Sequence, residues 1–401
     1  MKNNLELMQE LSVVSPSKIV MLVIDGLGGL PNGTGKTELE TAATPNMDKL
    51  AQSGSCGLMQ TVAQGITPGS APGHLGLFGY DPLSYTIGRG VLEALGMDFE
   101  LQHGDIAARG NFCTLDAQGL ISDRRAGRIL TEESSKLCSL LDGMEIDGIQ
   151  VIVRAVKDHR LVVVFRGVGL SEKISDTDPQ QTCLPPKEVA SLESDAGRTA
   201  QVVNTFLAEA RKRLAPHAPA NMVLLRGFSC LPSFPSFPDI YKMRSAAIAG
   251  YPMYRGLAKV VGMDVLKTGL TLADELNTME QNYADYDFFF VHVKGADAAG
   301  EDGDFARKVS VIEDVDRHLP SLLQLKPDVL IITGDHSTPA VLSGHSWHPV
   351  PCLLSSAHCR RDNITEFGES ACRNGGLGHI NATSLMWLAM ANGLKLTKFG
   401  A

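Results

Sequence analysis

The chain has 401 residues, 44% of them hydrophobic and 20% charged, with a formal net charge of −9. At roughly 100–200 residues per domain, that is enough for one large core and a second unit. The mild acidity excludes the basic footprint of a nucleic-acid binder and any polybasic membrane segment, and no run approaches the roughly 20 apolar residues that span a bilayer.

The opening segment MKNNLELMQELSVVSPSK has no cationic stretch leading into an apolar one, so a cytoplasmic protein is expected, with neither membrane nor nucleic acid as a partner. IVMLVID gives a short, continuously apolar strand ending at Asp25, and the Gly-rich GLGGLPNGTGKTELETAA reads as a loop. TPNMDKLAQSG predicts a helix with Thr44 as N-cap, Pro45 at its first position and Gly54 past its end. GITPGSAPGHLGLFGYDP puts Ser70 in a Pro/Gly-rich turn, with His74 supporting that turn. From residue 104 the texture changes to short alternating runs with basic turns, as in DIAARGNFCTL, GLISDRRAGRI, IQVIVRAVKDHRLVVVFRG and GLSEKISDTDPQ. This is the pattern of a smaller antiparallel unit. A helix is expected over Glu188–Leu214, followed by CLPSFPSFPD, too proline-rich for regular structure over its length.

From Ser245 strands and helices alternate again. DFFFVHVKGAD ends at Asp297, VLIITGDH ends at Asp335 and His336, and INATSLMWLAMANG reads as a helix. Short apolar strands buried on both faces belong to parallel sheets covered by helices. The expected fold is therefore α/β: a core of residues 1–103 and 216–401 around a mostly parallel, doubly wound sheet, with an inserted smaller α+β unit at 104–215. The eight cysteines show no CxxC or zinc-finger spacing and read as reduced and mostly buried.

Three carboxylates collected at the carboxyl edge of one sheet repel each other unless a cation neutralises them, which points to a metal site. Asp297 and Glu301 stand four apart, so one helical turn puts both on one side, a spacing that suits two ligands of one ion. Glu301, Asp302 and Asp304 fit a solvated acidic loop as well. Asp335 and His336 read as ligands or as a hydrogen-bonded core pair, and His379, in GGLGHINATSL, as a helix cap or a ligand. Ser70 either caps a helix or acts as a nucleophile. A hydroxyl held on a cation loses its proton near neutral pH, and helix-start N–H groups can hold a phosphate. The lack of a GxSxG elbow and of a P-loop lysine argues against an esterase and a nucleoside-triphosphate enzyme.

In that order, Asp25, Ser70, Asp297, Asp335, His336 and His379 resemble the binuclear metal site of the alkaline phosphatase superfamily. More closely, VIDGLGGLP, TELETAATPNMD, PGSAPGHLGLFGYDP, RGNFCTL, DRRAGRI, ISDTDP and VKGAD resemble the archaeal-type 2,3-bisphosphoglycerate-independent phosphoglycerate mutases, over about Lys18 to Gly393. The resemblance implies an alkaline-phosphatase-like core with a lid, two divalent metal ions, no bisphosphoglycerate, and interconversion of 3-phosphoglycerate and 2-phosphoglycerate through a phosphoserine at Ser70. It implies Asp25, Ser70, Asp335 and His336 around one metal and Asp297, Glu301 and His379 around the other. Where the family commonly has histidine, in DxxGHDGD, this chain has Glu301. An oxygen ligand there favours manganese foremost, or magnesium, relative to zinc.

Arg109, Arg124 and Arg128 match the family's substrate-facing segments, where a guanidinium can grip a carboxylate or phosphate through paired hydrogen bonds. Asp123, Asp176 and Asp178 would bind the glycerate hydroxyls or serve as general base, Asp178 foremost, and Arg255 and Lys294 would contact phosphate. The implied partner is a small phosphorylated acid. Rival readings are a metal-dependent phosphatase or phosphonate-cleaving hydrolase on the same scaffold, an inactive homologue that binds metal or ligand, and a mutase of another phosphorylated sugar or acid.

Overall fold

The computed structural model describes residues 4–400. The strands among them are, in chain order, β1 (Ile19–Ile24), β2 (Ser55–Gln60), β3 (Ile106–Leu115), β4 (Ile121–Asp123), β5 (Met144–Ile146), β6 (Ile149–Lys157), β7 (Arg160–Arg166), β8 (Met222–Cys230), β9 (Ser245–Ala249), β10 (Asp264–Val265), β11 (Phe288–Val293), β12 (Val329–Thr333), β13 (Val350–Ser356) and β14 (Gly378–Asn381). They form two sheets in two units. One unit takes the described residues up to Thr86 together with those from Phe234 onward, and the other is Ile87–Ser233.

The sheet of the first unit has the order β10-β9-β11-β1-β12-β13-β2-β14 and is parallel except for β13, which runs antiparallel to both its neighbours. Every residue of β1 and β12 is buried, as continuously apolar strands require. On one face Val20, Leu22 and Ile24 meet Ile312, Val315 and Leu319 of the helix Phe305–Gln324 and Leu276 and Met279 of the helix Leu272–Asn282. On the other face Phe78 packs edge-on to Phe290, centroids 5.0 Å apart, and Phe237 lies 4.8 Å from Phe288. Each such fully buried side chain contributes about 2 kcal/mol, so the centre of the sheet is a rigid base. Its register pairs Val23 with Thr333 and Ile24 with Val293. One and two residues further on, the same register sets Lys294 and Asp335 beside Asp25.

The helix Pro45–Ser53 lies where the sequence predicts it, between Thr44 and Gly54. The Thr44 side chain makes no capping bond; instead the buried Asp316 carboxylate accepts the Asn46 and Met47 amides at 3.1 and 2.8 Å. The Gly-rich segment expected to be a loop contains a single helical turn, Glu38–Thr41, started by a capping box between Thr37 and Glu40.

In the second unit the sheet order is β4-β3-β7-β6-β5, with β8 also paired to β3, all antiparallel. The helices Thr131–Leu141 and Gly197–Leu214 bury Leu137, Leu141, Val203 and Phe206 against Phe112, Val151, Val163 and Phe165. The unit is longer than the expected 104–215 at both ends. At its start, the helix Arg89–Leu95 lies so close to β3 that a Cβ on Gly90 would stand 1.9 Å from the Ala107 carbonyl. At its end, β8 hydrogen-bonds along β3. The helix expected from Glu188 starts only at Gly197, because the preceding residues pair with the chain near Ile174: Ser175 N–H donates to Ala190 O at 2.9 Å and Leu192 N–H to Lys173 O at 2.8 Å. Among the described residues no helix is long and apolar enough to cross a membrane. Five of the eight cysteines are buried, and Cys183 is exposed.

Glu275 is a buried acid in the first unit. Its Oε1 accepts the Gly250 amide at 2.9 Å, while its Oε2 has no partner among the described residues. Burial pushes its carboxyl up from 4.5 to about 8. The unfolded chain therefore ionises first, and stability is lost as pH rises from about 4.5 through about 8. Glu275→Gln, which keeps an oxygen for the Gly250 amide, is expected to raise the melting temperature at pH 8 and to flatten its decline between pH 5 and 8, as read by calorimetry.

Candidate metal centre

The carboxyl ends of β11, β1 and β12 bring Asp25, Asp297, Asp335 and His336 together, all buried. Oδ2 of Asp25 accepts hydrogen bonds from the Tyr254 hydroxyl, His292 Nε2 (3.2 Å) and the Lys294 ammonium (3.1 Å). Burial by itself would raise this carboxyl, but the hydrogen bond and charge of His292, with Lys294 and His336, hold it well below the usual range. The Tyr254 ring stacks on His292 with centroids 3.5 Å apart, so the aromatic pair fixes both donors. Oδ1 of Asp335 accepts the Gly26 amide at 3.1 Å.

His336 is oriented by Thr338. The Thr338 hydroxyl donates to Asp297 Oδ1 (2.7 Å), so its oxygen is left to accept from His336 Nδ1 at 2.9 Å. With the proton on Nδ1, and burial pushing the imidazole toward its neutral form, Nε2 carries a lone pair. That nitrogen lies 3.2 Å from Ser70 Oγ, 3.3 Å from Asp25 Oδ1 and 3.2 Å from Asp335 Oδ2. Asp25 Oδ1 and Asp335 Oδ2 are buried with no hydrogen-bond partner among the described residues. His74 Nδ1 lies 3.1 Å from Asp335 Oδ2, and the three converging atoms Asp25 Oδ1, Asp335 Oδ2 and His336 Nε2 form a donor set that a divalent cation fits.

A second set adjoins it. Asp297 Oδ2 is bonded by Lys294, and Oδ1 lies 3.4 Å from His345 Nε2. His345 Nδ1 is anchored on the Pro68 carbonyl at 2.9 Å, and its ring stacks on His336 at 3.7 Å. Burial opposes ionisation of Asp297, yet the His345 hydrogen bond and the Lys294 and His336 charges bring its carboxyl down to about 2. Despite burial, the same Asp297 bond takes His345 up to about 9. The ligand-type atoms of Asp25, Asp335 and His336 lie within 4.8 Å of one another, and so do those of Asp297, His336 and His345.

Ser70 is the first residue of the helix Ser70–Leu77, and His74, one turn on, anchors it by bonding the Ser70 carbonyl at 2.8 Å. Glu301 ends the short helix Gly295–Glu301; its side chain is 55% exposed, with Oε1 3.6 Å from His345 Nε2. Lys294, expected to meet phosphate, bridges Asp25 and Asp297. Arg255 binds the Gly250 carbonyl at 2.8 Å.

His379 corrects the sequence reading. It is exposed on β14, which β13 and β2 separate from β12, and it takes no part in either set. His345 stands there instead. The signal was SGHSWHP, a histidine in a polar loop nine residues beyond His336. Tyr254, His292 and Thr338 also escaped the sequence reading; a lone histidine inside the apolar run FFFVHV was the visible hint.

The second unit carries a face of opposite charge. Register sets Arg109 opposite Arg226 and Asn111 opposite Arg160, and alternation puts Arg109 and Asn111 on the same side. Buried Nε atoms of Arg109 and Arg226, Asn111 Oδ1 and His159 Nδ1 lack hydrogen-bond partners among the described residues. Burial, against the pull of Glu93 and aided by Arg226, Arg160 and Arg89, lowers the Arg109 guanidinium. Like charges opposed across a sheet are destabilising, which a bound anion would relieve. Arg124 grips Asp178 through bonds of 3.0 and 2.6 Å; burial opposes it, but this pair holds Asp178 below its usual range. Asp123 accepts the Arg125 and Gly127 amides at 2.8 and 2.6 Å, and Asp176 accepts the Gly227 amide at 2.8 Å. Arg128 is exposed in the turn that Asp123 ties.

The fold has solved counterparts. A Pyrococcus horikoshii protein superposes with a TM-score of 0.81 at 29% identity, over 97% of this chain and 100% of the other. A cofactor-independent phosphoglycerate mutase from Thermoplasma acidophilum gives 0.75 at 30% identity, over 94% and 100%. The model of the 2,3-bisphosphoglycerate-independent phosphoglycerate mutase family matches residues 51–221. A protein of Thermotoga neapolitana named as a probable enzyme of this kind is 49% identical over 98% of both chains, and one of Aquifex aeolicus is 49% identical over 99% of this chain and 100% of its own. The chain belongs to the 2,3-bisphosphoglycerate-independent phosphoglycerate mutase family.

The two histidines can be told apart. At equal total manganese, His345→Ala is expected to retain fewer metal equivalents than the unmodified chain, and His379→Ala as many, by elemental analysis after gel filtration.

Proposed function

We propose that the chain interconverts 3-phosphoglycerate and 2-phosphoglycerate through a phosphoserine at Ser70, without bisphosphoglycerate, using two divalent cations of which manganese is the foremost candidate. Asp25, Ser70, Asp335 and His336 would hold one, and Asp297, His345 and Glu301 the other. When bound, such cations neutralise phosphate charge and lower the pKa of a hydroxyl. The observation that carries the reading is the Ser70 hydroxyl 3.2 Å from the lone pair of His336, at the start of a helix and among buried carboxylates.

From that position the Ser70 oxygen attacks phosphorus, the bond to the glycerate oxygen breaks, and the Ser70 proton is balanced by protonation of the departing oxygen. The other glycerate hydroxyl then takes the phosphoryl group back, which restores Ser70 and gives isomerisation with no net hydrolysis. Helix-start amides at Ser70 offer donors to phosphate oxygens, and the Lys294 ammonium, bridging Asp25 and Asp297, would add positive charge beside them. The acid end of the substrate suits the guanidinium face of Arg109, Arg226 and Arg160, where the buried Arg226 Nε lacks a hydrogen-bond partner among the described residues and Glu93 lies 3.5 Å from Arg109 Nε. Asp178 would orient Arg124, since both its oxygens are engaged by that side chain. Retention of glycerate would be the task of this second unit, as a lid that keeps water from the phosphoserine.

The test is phosphorus NMR of manganese-reconstituted protein given 3-phosphoglycerate alone. An equilibrium mixture with 2-phosphoglycerate and no free phosphate is expected; release of inorganic phosphate would favour the hydrolase. Ser70→Ala is expected to lower turnover by at least about a thousand-fold with the circular dichroism spectrum unchanged, and near-normal turnover would remove Ser70 as nucleophile. Arg109→Met should raise KM more than about ten-fold, as loss of a charge-assisted pair predicts.

A further inference from the structure

A second group of charges is buried beside the centre and serves no step above. Lys308, on the helix Phe305–Gln324, is wholly buried, as is Glu38. The Lys308 ammonium donates to the Gly28 carbonyl at 2.9 Å and to the Thr338 carbonyl at 2.8 Å, and lies 3.8 Å from Glu38 Oε1. Glu38 Oε1 accepts the Ala340 amide at 2.7 Å. Nearby, Glu369 accepts the Gly29 amide at 2.8 Å and the Thr37 hydroxyl at 2.7 Å.

These three ionisable side chains take up polar backbone from two loops. One, Gly26–Gly29, starts at Asp25; the other, Ser337–Ala340, starts at His336. The loops also meet directly, Thr338 N–H donating to Gly28 O at 3.0 Å. Thr338 is the pivot. Its carbonyl is fixed by Lys308, and its hydroxyl sits between Asp297 Oδ1 and His336 Nδ1. The packing leaves no slack, since a Cβ on Gly300 would stand 2.2 Å from the Thr338 carbonyl and one on Gly29 2.0 Å from Glu38 Oε2. Burying an ammonium is costly, and an apolar side chain of similar volume is often as stable or more so. A lysine here is explained by what it alone supplies: several donors on one atom, two of them on the carbonyls of the loops that carry the ligands, with Glu38 3.8 Å away as counter-ion.

We propose that Lys308, with Glu38 as its counter-ion, is a positioning residue that sets the divalent-cation affinity of the centre by clamping the Gly28 and Thr338 carbonyls, so that the ligands on the two loops keep their spacing. This rests on the reading of Asp25, Asp297, Asp335, His336 and His345 as metal ligands. Groups that orient ligands without touching the metal change affinity by about 10- to 100-fold when removed.

The test titrates manganese into the metal-stripped full chain by calorimetry, for the unmodified protein, Lys308→Met and the double variant Lys308→Met with Glu38→Gln, and melts each in chelator. Lys308→Met leaves Glu38 buried without its partner and is expected to melt lower. The double variant removes both charges and is expected to recover the melting temperature, while its manganese affinity stays at least about ten-fold weaker. Affinity restored along with stability would overturn the proposal, because the lysine would then matter only to the fold. Failure of both variants to fold in chelator would overturn it for the same reason. Absence of manganese binding by the unmodified protein would instead overturn the metal-centre reading on which it rests.

Discussion

Three buried carboxylates gathered around one histidine, at the carboxyl edge of three adjacent parallel strands, set the terms for the rest of this molecule. Removing such charges from water is costly, and their mutual repulsion grows in the low-dielectric interior. The first unit meets this by anchoring one oxygen of Asp25 on three protein donors and leaving the other bare, and by setting the Gly26 amide on one oxygen of Asp335 and His74 Nδ1 3.1 Å from the other. The donors are themselves braced, Tyr254 and His292 by stacking and Thr338 by its two side-chain bonds. An arrangement that gathers carboxylate oxygens of Asp25 and Asp335 around a neutral imidazole lone pair and a serine hydroxyl is shaped for a cation and an oxygen nucleophile.

Rigidity in the strands makes this spacing possible. β1, β11 and β12 are buried along nearly their whole length, so their ends cannot drift relative to one another. The loops that follow lack that support and take it from Lys308, Glu38 and Glu369, side chains with no atom in the ligand set. The second unit inverts the electrostatics. Its sheet opposes Arg109 to Arg226, with Glu93 3.5 Å from Arg109 and the buried Arg226 Nε without a hydrogen-bond partner among the described residues, a configuration that favours an anion.

Much of this was legible in the order of residues. Continuous apolar runs identify β1, β11 and β12, because a strand covered on both faces has no polar side to show, and the aspartates at their ends mark the site edge. Asp25, Asp297, Asp335 and His336 were readable as neighbours for that reason, and Ser70 from its Pro/Gly-rich turn before a helix. Lys294 was visible, but its place between two carboxylates was not. His379 misled because a histidine between glycines looks alike whether it faces a ligand or solvent; only the position of β14, beyond β13 and β2, puts it aside. The ends of the second unit were misjudged because the helix Arg89–Leu95 and β8 join it through packing and pairing at long sequence separation.

The sequence by itself determined the α/β class, the alternation of strand and helix, and the chemical types at the strand ends, since all three follow from local periodicity and from residues adjacent in the chain. Tertiary structure alone decided that His345 joins Asp297, that Thr338 sets the His336 tautomer, that Arg226 faces Arg109, and that Lys308 ties two loops together. Each of these depends on sheet order and register, which join residues whose separation along the chain carries no information about their separation in space.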